Sequence, residues 1–343
     1  MSPKVLLTGS TGFIGAAVLA ELIAKDYTVV AAIRSASKAE YIKAQHPDAV
    51  ASGKLTFVIV LDITAPGAFD EAVKGAEYVV HVASPFVLNV SDNEKDLLVP
   101  AREGTLGVLR SIQKNAKDTV KQVVITASFA SVFDGPVYIL KGDRIYDESV
   151  WCKNTWEEAV KKDASYAYAT SKLVAEQAAW DFQKAENAKF AITVLNPPFV
   201  FGPMYQQVTA STVNTSNQII QGFNKTPENP DPEHSFIEVD VRDLAYAHVA
   251  ALGNPKAENQ RIIVSPGYFS YSSLIEIIKK YQAEGEAYAK GPDDSDELLK
   301  RERAIGGANL AKVKEVFPDL KFHSYKDTVV DTLRQLKELE AAA

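Results

Sequence analysis

Cysteine is almost missing: Cys152 stands alone among 343 residues. No intramolecular disulfide and no cysteine-rich zinc site can be built from one thiol, which is expected to be a reduced structural or surface group. The five histidines, His46, His81, His234, His248 and His323, show no paired ligand spacing, so no metal is expected in the mechanism. Charged or turn residues interrupt every apolar run before it reaches membrane-spanning length. A concentrated basic run is also lacking. With a net charge of −7 and a pI near 5.4, nucleic acid is not an expected partner. The first strand pattern begins by residue 4, leaving no room for a cleavable signal peptide, so the cytoplasm is the expected compartment. Internal repeats and low-complexity tracts are absent. What remains is ordinary globular composition, 46% apolar and 24% charged, with ample material for a sizeable core.

The most informative stretch is residues 5–20, VLLTGSTGFIGAAVLA. Val5, Leu6 and Leu7 suit a strand buried on both faces, and Phe13, Ile14, Val18 and Leu19 can line a helix toward the sheet. Gly9, Gly12 and Gly15 punctuate the turn between them, with the spacing G-x-x-G-x-x-G. Glycine permits positive φ, close approach to a pyrophosphate and tight packing of helix on strand. The amides and dipole at the start of that helix then face the phosphates.

Residues 27–33 read as a second strand, which completes a βαβ unit. About 20 residues past such glycines an acid would bind the ribose 2′-hydroxyl of NAD. Here the position holds Arg34, followed by Ser35 and Lys38. Positive charge there suits a 2′-phosphate, so NADPH is the expected cofactor. Residues 55–60 and 77–82 read as third and fourth strands. Asp62 ends the third, either as an acceptor for adenine or as a helix N-cap. Ala83 and Ser84 turn the chain at the carboxyl edge, where open α/β sheets bind ligands.

Residues 92–116 are helical in composition, with Pro100 expected to kink or restart the helix. Residues 121–127 form a fifth strand that delivers Ser128 to the same edge, 165–186 a helix, and 190–195 a sixth strand. This is an α/β fold, a Rossmann-type doubly wound parallel sheet. The nucleotide domain spans 1–198 plus about 240–264. A smaller, discontinuous C-terminal substrate lobe takes about 199–239 and 265–343.

Tyr168 and Lys172 make a Y-x-x-x-K pair on one face of the helix. With 14 tyrosines, one such pair arises by chance, so its context carries the weight. Hydride attack on a carbonyl leaves an alkoxide that needs a proton. A phenol gives one readily only if a neighbouring cation lowers its pKa, which is the role of Lys172; Ser128 can donate a hydrogen bond to the same oxygen.

With these motifs in order, the chain resembles the extended short-chain dehydrogenase/reductases. Within them it is similar to yeast and fungal NADPH-dependent carbonyl reductases of the methylglyoxal reductase type, related to plant dihydroflavonol reductases. The resemblance covers essentially the whole chain. It rests on HVASPF at 81–86, DLLVPA at 96–101, NPPFVFGP at 196–203, NTS at 214–216 and VDVRDLAYAH at 239–248. It implies that Gly9, Ser10, Thr11, Gly12, Phe13 and Ile14 cradle the pyrophosphate. Arg34 and Lys38 would bind the 2′-phosphate, with Asp62 and Ile63 at adenine and Ala83 beside the cofactor. Tyr168, Lys172, Pro197, Val200 and Ser216 would hold the nicotinamide half. Phe86, Phe129, Phe133, Phe199 and Tyr205 would shape a substrate pocket suited to apolar carbonyls.

Two departures stand out. The subfamily's A-x-N-G-T reads Ala101, Arg102, Glu103, Gly104, Thr105, which places a carboxylate where an amide would support a proton relay. The strand end reads Thr126, Ala127, Ser128 in place of T-S-S. The expected activity is NADPH-dependent reduction of aldehydes and ketones, with a small carbonyl compound as the partner. The rivals are a hydroxysteroid dehydrogenase, a sugar-nucleotide epimerase, and a regulator that senses NADP without turnover. Arg34 and the aromatic pocket count against the epimerase, and the Tyr168/Lys172 pair against the sensor. Monomer and homodimer both remain open.

Overall fold

The computed structural model describes residues 2–84, 90–133, 145–229, 231, 234–293 and 307–342. Seven strands form one parallel sheet: β1 (Lys4–Thr8), β2 (Thr28–Ile33), β3 (Leu55–Ile59), β4 (Tyr78–His81), β5 (Gln122–Thr126), β7 (Ala191–Asn196) and β10 (Gln260–Ile263). Their spatial order is β3-β2-β1-β4-β5-β7-β10, so the direction of winding reverses between β1 and β4. A crevice opens above the carboxyl ends of strands at such a reversal. In a second sheet, β9 (Ser235–Asp240) pairs parallel with β8 (Phe199–Phe201) and antiparallel with β11 (Gly267–Ser270). The short β6 (Ile145–Tyr146) and β12 (Gly307–Ala308) pair with each other.

Side-chain alternation divides the main sheet between two cores. Leu6, Val30, Val79, Val123 and Val194 point to one face, where α4 (Val99–Asn115) and α6 (Ala164–Ala185) pack. Val5, Leu7, Val29, Val80 and Leu195 point to the other, beneath α1 (Phe13–Ala24), α2 (Ala36–Gln45) and α8 (Val241–Ala251). Within α1, Val18 and Leu19 are buried while Phe13 and Ile14 stay half-buried at the open end.

A third core joins the small sheet to α7 (Thr215–Lys225), α9 (Tyr271–Glu284) and α12 (Tyr325–Ala341) through Phe201, Ile220, Phe236, Leu274, Val329 and Leu333. Phe13 packs against both this core and that of α1, at the seam between them. Residues beyond 265 do not all join the third core. Val313 and Val316 of α11 (Ala311–Val316), together with Phe317, lie in the core under α1. Among the described residues the remaining short α-helices are α3 (Pro47–Ala51), α5 (Trp156–Ala159) and α10 (Glu286–Lys290).

Pro100 acts as a helix start. A π-helical turn at Glu94–Leu98 ends, and α4 begins with the proline in its first turn, where the missing N–H costs nothing. No helix among the described residues is long and apolar enough to cross a membrane.

Candidate active site

The site begins where β1 and β4 end side by side. Gly9 has φ +77°, and a Cβ added to it would lie 2.7 Å from the Ala83 nitrogen. A Cβ on Gly15 would lie 2.0 Å from the Gly9 carbonyl oxygen, so α1 sits directly on the turn. The Gly12 N–H donates to that oxygen at 3.0 Å. Gly12 is the N-cap of α1 and supplies no side-chain acceptor. The first-turn amides therefore depend on an outside acceptor, and an anion meets that need. Across the seam, the Ala83 N–H donates to Thr8 Oγ1 at 3.1 Å, and the same hydroxyl bonds His81 Nδ1 at 2.9 Å. Ser10 is fully buried with its hydroxyl directed to the Ala32 carbonyl, whereas Thr11, Phe13 and Ile14 are half-buried at the lip.

Arg34 follows β2 directly and is exposed, as is Lys38 in the first turn of α2. Asp62 stands near Arg34. Hydrogen bonds from the Thr64 hydroxyl and amide, at 2.7 and 2.8 Å, hold its carboxyl below the usual range, with a contribution from the Arg34 charge. The turn that Asp62 caps leads into no helix, which removes the N-cap alternative. Ile63 packs on α4, with Cδ1 3.0 Å from where a Cβ of Gly104 would lie.

Tyr168 and Lys172 are one turn apart on α6, whose N-cap Asp163 accepts from the Ser165 and Tyr166 amides. Lys172 Nζ lies 5.6 Å from the centre of the Tyr168 ring and donates to Ser84 Oγ at 2.9 Å. Burial lowers the pKa of this ammonium to about 8. Burial, helped by the Lys172 charge, takes His81 down to about 4, so the imidazole is neutral. Ser84, Thr105, Thr126, His81 and Lys172 border a small cleft. Thr8 and His81 were not among the residues expected at the site, and Ser84 was expected at the ligand-binding edge without a role. The one signal for Ser84 is its place at the carboxyl end of a central strand.

Ser128 has extended backbone and caps the 3₁₀ turn Phe129–Ser131, against which α6 packs. Its Oγ accepts from the Ala130 N–H at 3.1 Å, which leaves the hydroxyl proton available. Pro197 anchors the turn by accepting the Phe129 N–H at 2.9 Å. Val200 is buried in β8, and Ser216 lies in the first turn of α7.

Of the five aromatics expected around a substrate, three come together. Phe129 stacks on Phe133 at 6.0 Å, and Phe236, unforeseen, stands edge-on to Phe129, Phe133 and Phe199 at 5.6, 5.4 and 5.5 Å. Phe129 is only 1% exposed, so it acts as core. Tyr205 is placed elsewhere, in a cleft with Ser10, Thr11, Lys38 and Tyr41. Phe86 lies outside the described residues. Glu103 faces away from Lys172: its carboxylate accepts from Arg102 Nε at 3.0 Å and Arg110 Nη1 at 2.8 Å.

Residues 5–265 match the family model "NAD dependent epimerase/dehydratase family". The chain is 35% identical to the putative NADPH-dependent methylglyoxal reductase GRP2 of Candida albicans, over 98% of each chain. To the NADPH-dependent methylglyoxal reductase GRE2 of Saccharomyces cerevisiae it is 33% identical, over 98% of this chain and 99% of that one. The crystal structure of yeast methylglyoxal/isovaleraldehyde reductase Gre2 complexed with NADPH superposes with a TM-score of 0.84 at 30% identity, covering 99% of this chain and all of the other. The chain therefore belongs to the NAD dependent epimerase/dehydratase family, in its extended short-chain dehydrogenase/reductase form.

Proposed function

We propose that this protein is an NADPH-dependent carbonyl reductase that converts aldehydes and ketones, methylglyoxal, aryl ketones and keto esters among them, to alcohols. The observation that carries the reading is the burial of Lys172 between the Tyr168 ring and Ser84, at the sheet's switch point. A buried ammonium has a chemical use when it stabilises an adjacent phenolate.

The residues fit the cofactor. The turn at Gly9 and Gly15 leaves no room for side chains, the start of α1 carries no side-chain cap, and Arg34 and Lys38 present exposed positive charge beside it. NADPH, when bound, supplies the hydride. Gly9 to Ile14 hold the pyrophosphate, Arg34 and Lys38 the 2′-phosphate, Asp62 and Ile63 the adenine, and Ala83, Pro197, Val200 and Ser216 the nicotinamide half. Tyr168 gives its hydroxyl proton to the carbonyl oxygen as charge develops there, and the Lys172 ammonium stabilises the phenolate left behind. Lys172 spends one N–H on Ser84 and keeps two for the tyrosine and the nicotinamide ribose. The Ser128 hydroxyl donates to the substrate oxygen. Residues 199–239 and 265–343 provide most of the substrate side through Phe199 and the third core, and 1–198 with 240–264 the cofactor side.

Initial rates of absorbance loss with NADPH and NADH in parallel, across methylglyoxal, simple aldehydes, aryl ketones and keto esters, test the assignment. Turnover with NADPH on apolar carbonyls is the expected result. Tight NADPH binding by calorimetry without turnover of any carbonyl would reject it in favour of a sensor.

A further inference from the structure

A buried polar network lies behind Ser128. Its carbonyl oxygen accepts from the Ser131 N–H at 3.0 Å, and two side chains also reach it, Ser131 Oγ at 2.8 Å and Asn196 Nδ2 at 3.2 Å. Both side chains also reach Glu176 Oε2, Asn196 at 2.9 Å and Ser131 through a short contact, so one hydroxyl proton and two amide protons are shared among these acceptors. Asn196 and Ser131 bond each other at 3.0 Å. The other carboxylate oxygen, Oε1, accepts from Arg261 Nε at 2.5 Å. Arg261 then reaches outward: Nη1 donates to the carbonyls of Glu148 and Val150 at 2.8 Å each, and the guanidinium stacks 3.5 Å over Trp151. The ion pair is almost fully enclosed, with side-chain exposures of 8% for Arg261 and 0% for Glu176.

Stability is a weak reason to keep such a pair. Desolvating two charges costs several kcal/mol, and well-packed apolar replacements are often as stable or more so. Geometry gives a better reason. Glu176 is one helical turn beyond Lys172 and two beyond Tyr168, on the same face of α6. Through Ser131 and Asn196 it grips the peptide of Ser128, so the proton donor, its cation and the serine share one rigid support. Arg261 on β10 and Asn196 on β7 hold that support to the sheet.

We propose that Glu176 and Arg261, acting through Ser131 and Asn196, are positioning residues that set Ser128 against the Tyr168–Lys172 pair. This rests on the reductase reading above. The test compares Ser131→Ala, Glu176→Gln and Arg261→Lys with the parent enzyme. It measures kcat and KM for a carbonyl that the parent reduces, NADPH affinity by fluorescence, and the primary isotope effect with NADPH deuterated at the transferred position. Misplacing a reacting group by about 1 Å costs up to about 100-fold. The expected result is a kcat loss of about 10- to 100-fold in Ser131→Ala and Glu176→Gln, with NADPH affinity within about twofold and a larger isotope effect as hydride transfer becomes limiting. Arg261→Lys, which keeps the charge but not the fork, falls between. A merely structural lesion would lower the active fraction and leave the isotope effect and KM unchanged, and that pattern overturns the proposal. So does parental kcat in Ser131→Ala, which keeps the ion pair and decides the matter even if Glu176→Gln does not fold. Failure of the reductase reading is distinguishable, because the parent enzyme would then reduce no carbonyl.

Discussion

Replacing Gly15 by alanine sets two physical effects against each other at one atom. In an unobstructed helix the change stabilises by about 1 kcal/mol, because alanine loses less backbone entropy than glycine. Here the new Cβ would sit 2.0 Å from the Gly9 oxygen and 2.6 Å from the Gly9 carbon. Both are backbone atoms, so no side chain can swing aside. Real Cβ contacts almost never fall under 3.0 Å, so α1 or the turn must retreat by about 1 Å. That retreat stretches the 3.0 Å bond from the Gly12 N–H to the Gly9 oxygen. Overpacking costs about 1–3 kcal/mol, and a weakened hydrogen bond about 1 more, so the balance is a net loss of roughly 1–3 kcal/mol. The first-turn amides of α1 move with the turn, and NADPH affinity is expected to fall at least about tenfold, the equivalent of about 1.4 kcal/mol. Gly12→Ala is the control, since its Cβ meets the Gly9 oxygen at an ordinary 3.4 Å. Thermal unfolding without ligand should show Gly15→Ala melting well below the parent, and Gly12→Ala melting closer to it, having lost only the preference of an N-cap for glycine over alanine. Calorimetric titration with NADPH reads the binding loss. A Gly15→Ala protein that melts higher, or binds NADPH as the parent does, would refute the reasoning.

Arg34→Glu should weaken NADPH by about 10- to 100-fold, the worth of a charge-assisted bond, and leave NADH within about threefold; equal losses would show that Arg34 does not touch the 2′-phosphate. Tyr168→Phe is expected to lower kcat by about 10²- to 10⁴-fold with NADPH binding retained, and full activity would remove the tyrosine as proton donor. The charged form of Lys172 prevails below a pKa of about 8, so reduction should fall about tenfold per pH unit above that value. His81, held neutral by burial with a pKa of about 4, should add no limb between about pH 5 and 7; a rate profile flat to pH 10 contradicts the lysine's role. Glu103→Asn should leave kcat within about twofold and that alkaline limb unmoved, because the carboxylate is spent on Arg102 and Arg110. A displaced limb would show that it reaches Lys172 after all.

Continuous apolar runs made the central strands readable to within a residue or two, because a strand covered on both faces needs them. Expected strands at 77–82, 121–127 and 190–195 correspond to Tyr78–His81, Gln122–Thr126 and Ala191–Asn196. The glycine turn was equally legible, since positive φ at Gly9 and the contact at Gly15 exclude other residues. Local pattern could not foresee the π-helical turn at Glu94–Leu98, which a composition read as helix does not distinguish from α. Nor could it assign Val313, Val316 and Phe317 to the core under α1, because that choice depends on where the chain returns in space.

At the site, the legible residues are those whose role is fixed by spacing along one element, and the illegible ones act across elements. Tyr168 and Lys172 share a helix face, so their spacing is itself a geometric statement. Ser84 meets Lys172 from a strand end 88 residues earlier, and Arg261 meets Glu176 from 85 residues later. Nothing periodic links either pair. Glu103 shows the converse: a motif position suggested a part in proton transfer, yet helical rotation decides its surroundings. Thr105 borders the Lys172 cavity, and residues two apart on a helix diverge by about 200°. The carboxylate is therefore turned to the arginines on the outer surface of α4, where a negative charge is matched before it can influence the lysine. A substitution in a family motif thus changes chemistry only when the side chain's direction, not its place in the pattern, brings it to the reacting atoms.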